Sequence, residues 1–413
     1  MFSLEKKNFK DWIDFFSTLW VILSTGSLVF CIFNMELSMF MLLGIAFLYI
    51  LTTHGTLVKK RHLCVMIGVL CFIVLNGVLN IGYLELNKDV IILLMRLFSV
   101  TIICANITRE KFMKYFCEIL FFLCCLSLVC FLFSELGFAL PGQKELWIKD
   151  KFYIYTFYHT VGRWEPFHRN AGIFWESPAF AIFINLAILF MMLGNVKMEG
   201  KKKGIYLLVY SVTIFTTLST LAYLEFVLCI AAAACRFWNG GERGKKAKTM
   251  KYLMIIFMVL LLVCLAILES KLGIIEHKLI NRQGSFGERA NDTIETLLMA
   301  FRRPWTGFGL FNNYTREALY EVKVMNNSNG FVTMILYLGL PLSVIYYGYF
   351  GYRLKKLFEC NFMSYLCVIG AFLIILNSEQ ICTMTLMLFF LFPLKDELEK
   401  KGQSQRGISR GGC

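Results

Sequence analysis

Charged side chains are scarce in this chain. Aspartate, glutamate, lysine and arginine make up 17% of its 413 residues, against 58% hydrophobic residues and a mean hydropathy of +0.63. A water-soluble domain of that length is not so apolar, and the composition reads as a polytopic membrane protein. Several chemistries also lack their signatures. There is no Cys/His ligand spacing, Walker loop, GxGxxG strand–helix unit or HExxH, so nothing supports a nucleotide-driven motor or a zinc hydrolase. The fifteen cysteines avoid the two long loops described below and nearly all lie in or beside apolar runs, where they act as small hydrophobes; no disulfide framework is expected. No cleavable signal is read at the start, because Lys6, Lys7 and Lys10 precede an apolar run longer than a signal's hydrophobic region.

What is present is a series of about twelve apolar runs: 12–33, 37–53, 63–84, 89–107, 116–139, 173–193, 204–218, 220–237, 250–268, 329–350, 362–378 and 381–393. Most meet the roughly 20-residue requirement of a membrane helix, while 204–218 and 381–393 are short. The expected fold is therefore an all-α bundle. Residues 1–139 hold helices one to five, 173–268 helices six to nine, 329–393 helices ten to twelve, and 394–413 a tail. Lysine-rich loops recur after every second helix, at Lys59-Lys60-Arg61, Arg109-Lys111-Lys114, Lys201-Lys202-Lys203, Arg243-Lys245-Lys246 and Arg353-Lys355-Lys356. That alternation is the positive-inside pattern of a multi-pass protein in a cytoplasmic membrane, and it places both termini in the cytoplasm. The formal charge of +14 is spread over these loops rather than gathered on one domain, which fits anionic lipid headgroups and no nucleic-acid partner.

Two long loops, 140–172 and 269–328, fall outside, and there the basic residues change character. All the outer arginines, Arg163, Arg169, Arg282, Arg289, Arg302, Arg303 and Arg316, lie in these two loops. Arginine suits a site where a planar fork grips an oxyanion, so a phosphate or pyrophosphate site is one reading. Pairing with nearby acids such as Glu165, Glu288, Asp292 and Glu317, or rest at headgroups, is the other.

The second loop has its own order. Ser285 and Glu288 form an S-x-x-E capping box that should start a helix near Phe286, which Pro304 should end. Ile294, Leu297, Leu298 and Phe301 make one apolar stripe on it, with Arg289, Thr293 and Thr296 off the stripe. Pro304-x-x-Gly307-x-Gly309 then gives a compact turn in which backbone amides could approach a ligand. In the first loop, Trp147, Tyr153, Tyr155, Tyr158, His159, Trp164 and His168 suit a sugar, by ring stacking and hydrogen bonding, and equally suit an interfacial aromatic belt. Glu176, just before Ser177-Pro178 at a helix mouth, is either a cap or a participant in binding or proton transfer. Arg96 and Glu225 are costly intramembrane charges that could pair with one another.

Taken in order, the helix-mouth stretch RNAGIFWESPAFA, the LST at 218–220, Arg289, Pro304-x-x-Gly307-x-Gly309, and Asn329 with Gly339 ten residues on resemble the bacterial O-antigen polymerase and O-antigen ligase superfamily over about residues 160–350. The resemblance implies a glycosyltransferase C-type-like membrane fold with a helical extracytoplasmic loop. It also implies glycan transfer from an undecaprenyl-pyrophosphate carrier to a glycan acceptor without metal, cofactor or nucleotide sugar. A chain-length regulator is a further partner of that pathway. The resemblance implies that Arg289 and the arginines near it bind the donor pyrophosphate; together with the readings above, the candidate site residues are Glu176, Arg289, Asp292 and His168 for catalysis, with Arg163, Arg169, Arg282, Arg302, Arg303, Trp164 and Asn329 holding substrate. One departure stands out: where ligases generally read His-Asn at the start of the late helix, this chain reads Ser328-Asn329. Serine alone cannot replace an imidazole base, which favours a polymerase over a ligase and leaves the base open among Glu176, His159, His168 and Asp292.

Overall fold

The computed structural model describes residues 8–53, 58–80, 88–138, 144–145, 152–155, 158–164, 167–194, 196–239, 285–310, 315, 317, 319 and 329–396. The expected ninth run at 250–268 lies outside these residues, as do Arg282 and most of the tail. Among them are α1 (Phe9–Gly26), α2 (Met35–Thr52), α3 (Lys60–Leu79), α4 (Lys88–Asn106), α5 (Arg109–Glu135), α6 (Ser177–Leu193), α7 (Gly200–Thr216) and α8 (Thr220–Asn239). They are followed by α9 (Ser285–Ala300), α10 (Gly330–Phe358), α11 (Phe362–Ser378) and α12 (Thr385–Leu391). Five of these, α2, α3, α4, α5 and α10, are long and apolar enough to cross a membrane, and α6 and α11 are shorter apolar helices. The protein is a predominantly helical, polytopic membrane protein.

The bundle is built around α6. This helix is apolar on all sides, with Asn185 its sole polar interior residue, and such a helix has no face to give to water. Every one of its residues is buried. It packs against α5, α7, α8 and α1. Where α5, α6, α10 and α12 meet, the rings of Phe112, Phe116, Phe190, Phe358 and Phe389 pack together, with Phe112 stacked on Phe389 at 4.1 Å between centroids. Glu225 does not meet Arg96. Asn185 Nδ2 donates to Glu225 Oε2 at 3.1 Å, while Arg96 Nη1 donates to the carbonyl of Thr383 at 3.3 Å. The expected pair is replaced by two separate arrangements in which a neighbouring helix or chain turn supplies the partner.

Two expected spans are broken for local reasons. Run 12–33 divides at Ser27, after which Leu28–Phe33 is a π-helical stretch. At the break Ser27 bridges Phe174, and the Leu28 amide donates to the Ile173 carbonyl at 3.0 Å. The RNAGIFWES segment thus fills the gap, and a Cβ on Gly26 would stand 2.5 Å from Phe183 and 2.6 Å from Phe174. Run 381–393 yields a helix of only seven residues, α12, because Pro393 follows and cannot continue it. The chain beyond α12 stays buried by borrowing donors: Arg353 Nη2 donates to the Phe392 carbonyl at 2.6 Å, and His62 Nε2 lies 2.9 Å from the Pro393 carbonyl. Irregular backbone at membrane depth needs such partners.

The expectation of an all-α chain is corrected in the first long loop. Strands β1 (Lys144–Glu145), β2 (Phe152–Tyr155), β3 (Tyr158–Trp164) and β4 (Phe167–Asn170) form one antiparallel sheet in sequential order. Phe152 pairs with Val161 and Tyr155 with Tyr158, and Val161 pairs with Arg169 before the register shifts towards Trp164–Phe167. Aromatic and β-branched residues separated by two-residue gaps are hairpin material. The rings read for sugar stacking or a membrane belt first of all build a sheet.

Candidate functional site

At one end of the bundle lie the termini of α1, α3, α5, α7, α9 and α11, the starts of α6, α8 and α10, and the sheet. Its anchor is a broken helix. Gly339 interrupts α10 with φ +72° and ψ +170°, a conformation open essentially to glycine, and Pro341 follows. The carbonyls released there are taken by the Pro304–Gly309 turn. Phe308 N donates to Leu336 O at 2.9 Å, Gly309 N to Tyr337 O at 3.0 Å, and Leu340 N to Pro304 O at 2.7 Å. Asn76 of α3 closes the knot, donating to Tyr337 O at 3.1 Å and accepting from Leu310 N at 2.9 Å. The amides of Phe308 and Gly309, expected to be open to a ligand, are therefore spent on the protein. Their job is to fasten the polar loop into the bundle.

The second anchor fixes α9. It begins at Ser285, one residue before the expected start, and ends at Ala300, ahead of Pro304. Its apolar stripe does not face the protein. Ile294, Leu298 and Phe301 are 56%, 57% and 56% exposed, and Trp305 beyond them is 74% exposed, whereas Thr296, Met299 and Ala300 are buried. A stripe of this kind facing outward beside membrane helices suits lipid and leaves the small and polar face for α10. On that inner face Asn329 Nδ2 donates to Thr293 Oγ1 at 3.1 Å, while Asn329 Oδ1 caps α10 by accepting from Val332 N at 3.0 Å. Position 289 shares the face of Thr293 and Thr296, being four and seven residues before them. Asn329, read from the sequence as a substrate-binding residue, has both ends of its amide engaged within the protein. Asn329→Ala should lower Tm by about one to two degrees, since a cap alone is worth about 1 kcal/mol. Asn329→Asp should keep the cap and recover much of the loss, and equal melting of all three proteins would show that the residue holds nothing.

A third group meets α10 from the side. Glu176 is the half-buried N-cap residue of α6, but its side chain makes no capping hydrogen bond. Its neighbour Trp175 donates from Nε1 to Glu379 Oε2 at 3.2 Å. Gln380 Nε2 lies 3.5 Å from Thr333 Oγ1, and Gly330 abuts the Glu379 carbonyl so closely that a Cβ there would stand 2.6 Å away. The FWES mouth of α6, the entry of α10 and the end of α11 are thereby joined. Sequence reading missed Glu379 and Gln380. Their signal is a carboxylate and an amide between two apolar runs with only two residues to spare.

The remaining expected residues divide. Arg169, in β4, donates from Nε to the Thr217 carbonyl at 3.1 Å and ties the sheet to the α7–α8 turn at the LST. Asn170 beside it donates to Thr216 Oγ1 at 3.0 Å. Arg303 lies over the Phe308 ring at 5.3 Å, and Arg302 is exposed. Asp292 is half-buried on α9, with its backbone carbonyl accepting from Thr296 Oγ1 at 2.6 Å. Arg163, Trp164 and His168 lie in β3 and β4 and Arg289 in α9, with side chains outside the described residues. No group of three or more potential metal ligands occurs among the described residues.

Below the knot, α3, α4, α10 and α12 line a partly open cavity of about 400 Å³. It runs between Cys64, Gly68 and Phe72 on one side and Met334, Tyr346 and Leu391 on the other, with Leu310 at the end next to the knot. Its walls are almost wholly apolar, the character of a hydrocarbon-binding space.

A helical membrane bundle thus gathers an arginine-bearing amphipathic helix, buried carboxyl and amide groups and a β-sheet at one end. Residues 205–347 match the family model described as O-antigen ligase. That match runs from α7 through α8, α9 and the knot into the second half of α10, and supports the resemblance to the O-antigen ligase and polymerase superfamily over that segment. No curated protein matches the chain.

Proposed function

We propose that the protein polymerises undecaprenyl-pyrophosphate-linked oligosaccharide repeat units into a capsular, extracellular or O-antigen polysaccharide at the outer face of the cytoplasmic membrane. The family match over α7–α10 carries this reading, because the matched segment contains the site's three fasteners: the Gly307–Gly339 knot, the Asn329 cap and α9. An acceptor sugar hydroxyl attacks the anomeric carbon of the donor, and the carrier pyrophosphate leaves. A fixed cation that meets the developing charge supplies much of the rate, and position 289 stands on the inner face of α9 for that purpose. Ser328 in place of histidine ahead of Asn329 favours polymerase over ligase.

Purified protein given only lipid-linked repeat units in detergent should lengthen the glycan, since the carrier bond supplies the driving force. Flipping in sealed vesicles with no elongation in detergent would assign the chain to the transporters instead.

The apolar cavity suits part of the carrier's isoprenoid chain. Gly68 faces open space, where an added Cβ meets nothing within 4 Å, so Gly68→Trp can fill the cavity at little cost to the fold. We expect KM for the lipid-linked donor to rise about tenfold, roughly 1.4 kcal/mol, with kcat nearly kept. An unchanged KM would remove the cavity from substrate binding.

A further inference from the structure

Glu379 is costly where it stands. It is 5% exposed, and burial of a carboxylate is unfavourable unless its charge is met. It is also the C-cap residue of α11, where the helix presents its negative end. A residue chosen only to close a helix would not be an acid. The surroundings hold it firmly: the Trp175 indole donates to Oε2 at 3.2 Å, and Gly330 packs against its backbone. Cys382 Sγ lies 3.4 Å from the Gly330 carbonyl and ties the following turn to the same helix entry. The carboxylate is therefore fixed at the mouth of α10, one helix entry away from Asn329, its partner Thr293 and the inner face of α9 that carries position 289. Of the acids proposed from sequence, Glu176 and Asp292 are both only half-buried.

We propose that Glu379 is the general base of the reaction, a role that rests on reading the chain as a glycan polymerase. The acceptor oxygen forms its bond to the anomeric carbon and its proton passes to the Glu379 carboxylate. The bond from that carbon to the carrier phosphate oxygen breaks, and its electron pair leaves with the pyrophosphate. Glu379 then returns the proton to water at the open end of the bundle. The Trp175 N–H donates to the carboxylate and holds it in place.

The test uses the full chain in detergent with an undecaprenyl-pyrophosphate-linked oligosaccharide. Glu379→Gln should lower kcat for elongation by about 10²–10⁴-fold, the usual contribution of a positioned base, with KM for the donor little changed. Trp175→Phe keeps the carboxylate but removes its donor, so the acid limb of the rate–pH profile should move to higher pH. Glu379→Gln at the wild-type rate overturns the proposal. A slowed Glu379→Gln that keeps the wild-type acid limb marks a structural role and also overturns it. Should Glu379→Gln not fold, an unmoved acid limb in Trp175→Phe does the same. Wild-type protein that elongates nothing defeats the polymerase reading itself, a result distinct from these.

Discussion

Gly339→Ala should remove the folded protein. Alanine at φ +72° and ψ +170° is strained by about 1–3 kcal/mol, and its Cβ would stand 2.8 Å from the Gly307 nitrogen and 2.8 Å from the Trp305 carbonyl carbon and oxygen. Those atoms are backbone, so they cannot rotate away as the tip of a side chain could. Moving them breaks the bonds from Phe308 and Gly309 to the Leu336 and Tyr337 carbonyls, and overpacking of this kind costs about another 1–3 kcal/mol. A total of roughly 2–6 kcal/mol is a large share of the stability of most domains. The control is Gly348→Ala in the same helix, where a Cβ meets nothing within 4 Å and alanine is the better helix former. Size-exclusion profiles and Tm in one detergent read both. Gly339→Ala that is as monodisperse and as heat-stable as Gly348→Ala would contradict the knot.

Arg289→Lys should leave folding and membrane insertion near normal while slowing polymerisation by about one to three orders of magnitude, the worth of a preorganised charge-stabilising donor. The position lies near the start of α9, where the helix N-terminal partial charge adds to the guanidinium, and on the face that carries Thr293 rather than the exposed Ile294–Leu298 stripe. Lysine keeps the charge and loses the planar fork. Arg302→Lys, at an exposed position past the end of the helix, should change the rate little. Wild-type rates for Arg289→Lys at matched protein level would exclude this residue from the site.

Sequence periodicity located the helices better than it located their surroundings. The run 362–378 coincides with α11, and 220–237 differs from α8 by two residues at its end. Hydropathy is a property of each segment, so it survives without tertiary information. The stripe on α9 shows what does not survive. A 3.6-residue period defines two faces, yet in a membrane protein an apolar face can be satisfied by lipid as well as by a core, and here Ile294 and Leu298 are exposed while Thr296 is buried.

Pro304, Gly307, Gly309 and Gly339 were legible as a motif because backbone of that conformation demands glycine. Their partners were not, since nothing local says that the amide of Gly309 meets the carbonyl of Tyr337. Glu379 escaped notice for the opposite reason: its local context is a two-residue turn, and its meaning comes from Trp175, distant in sequence and brought near by the fold. The β-sheet was written plainly in alternating aromatic and β-branched residues, and was overlooked because those rings had a chemical use as well.

The central claim is that glycan is transferred from a carrier pyrophosphate at this end of the bundle. It is tested most directly by counting both products in one reaction: repeat units added to the glycan, and undecaprenyl pyrophosphate released, using purified protein in detergent with lipid-linked repeats as the sole substrate. The account predicts that one carrier pyrophosphate appears for each repeat added, with no metal or nucleotide sugar supplied. Carrier released without chain growth would mark a hydrolase, and neither product from folded protein would contradict the transferase assignment altogether.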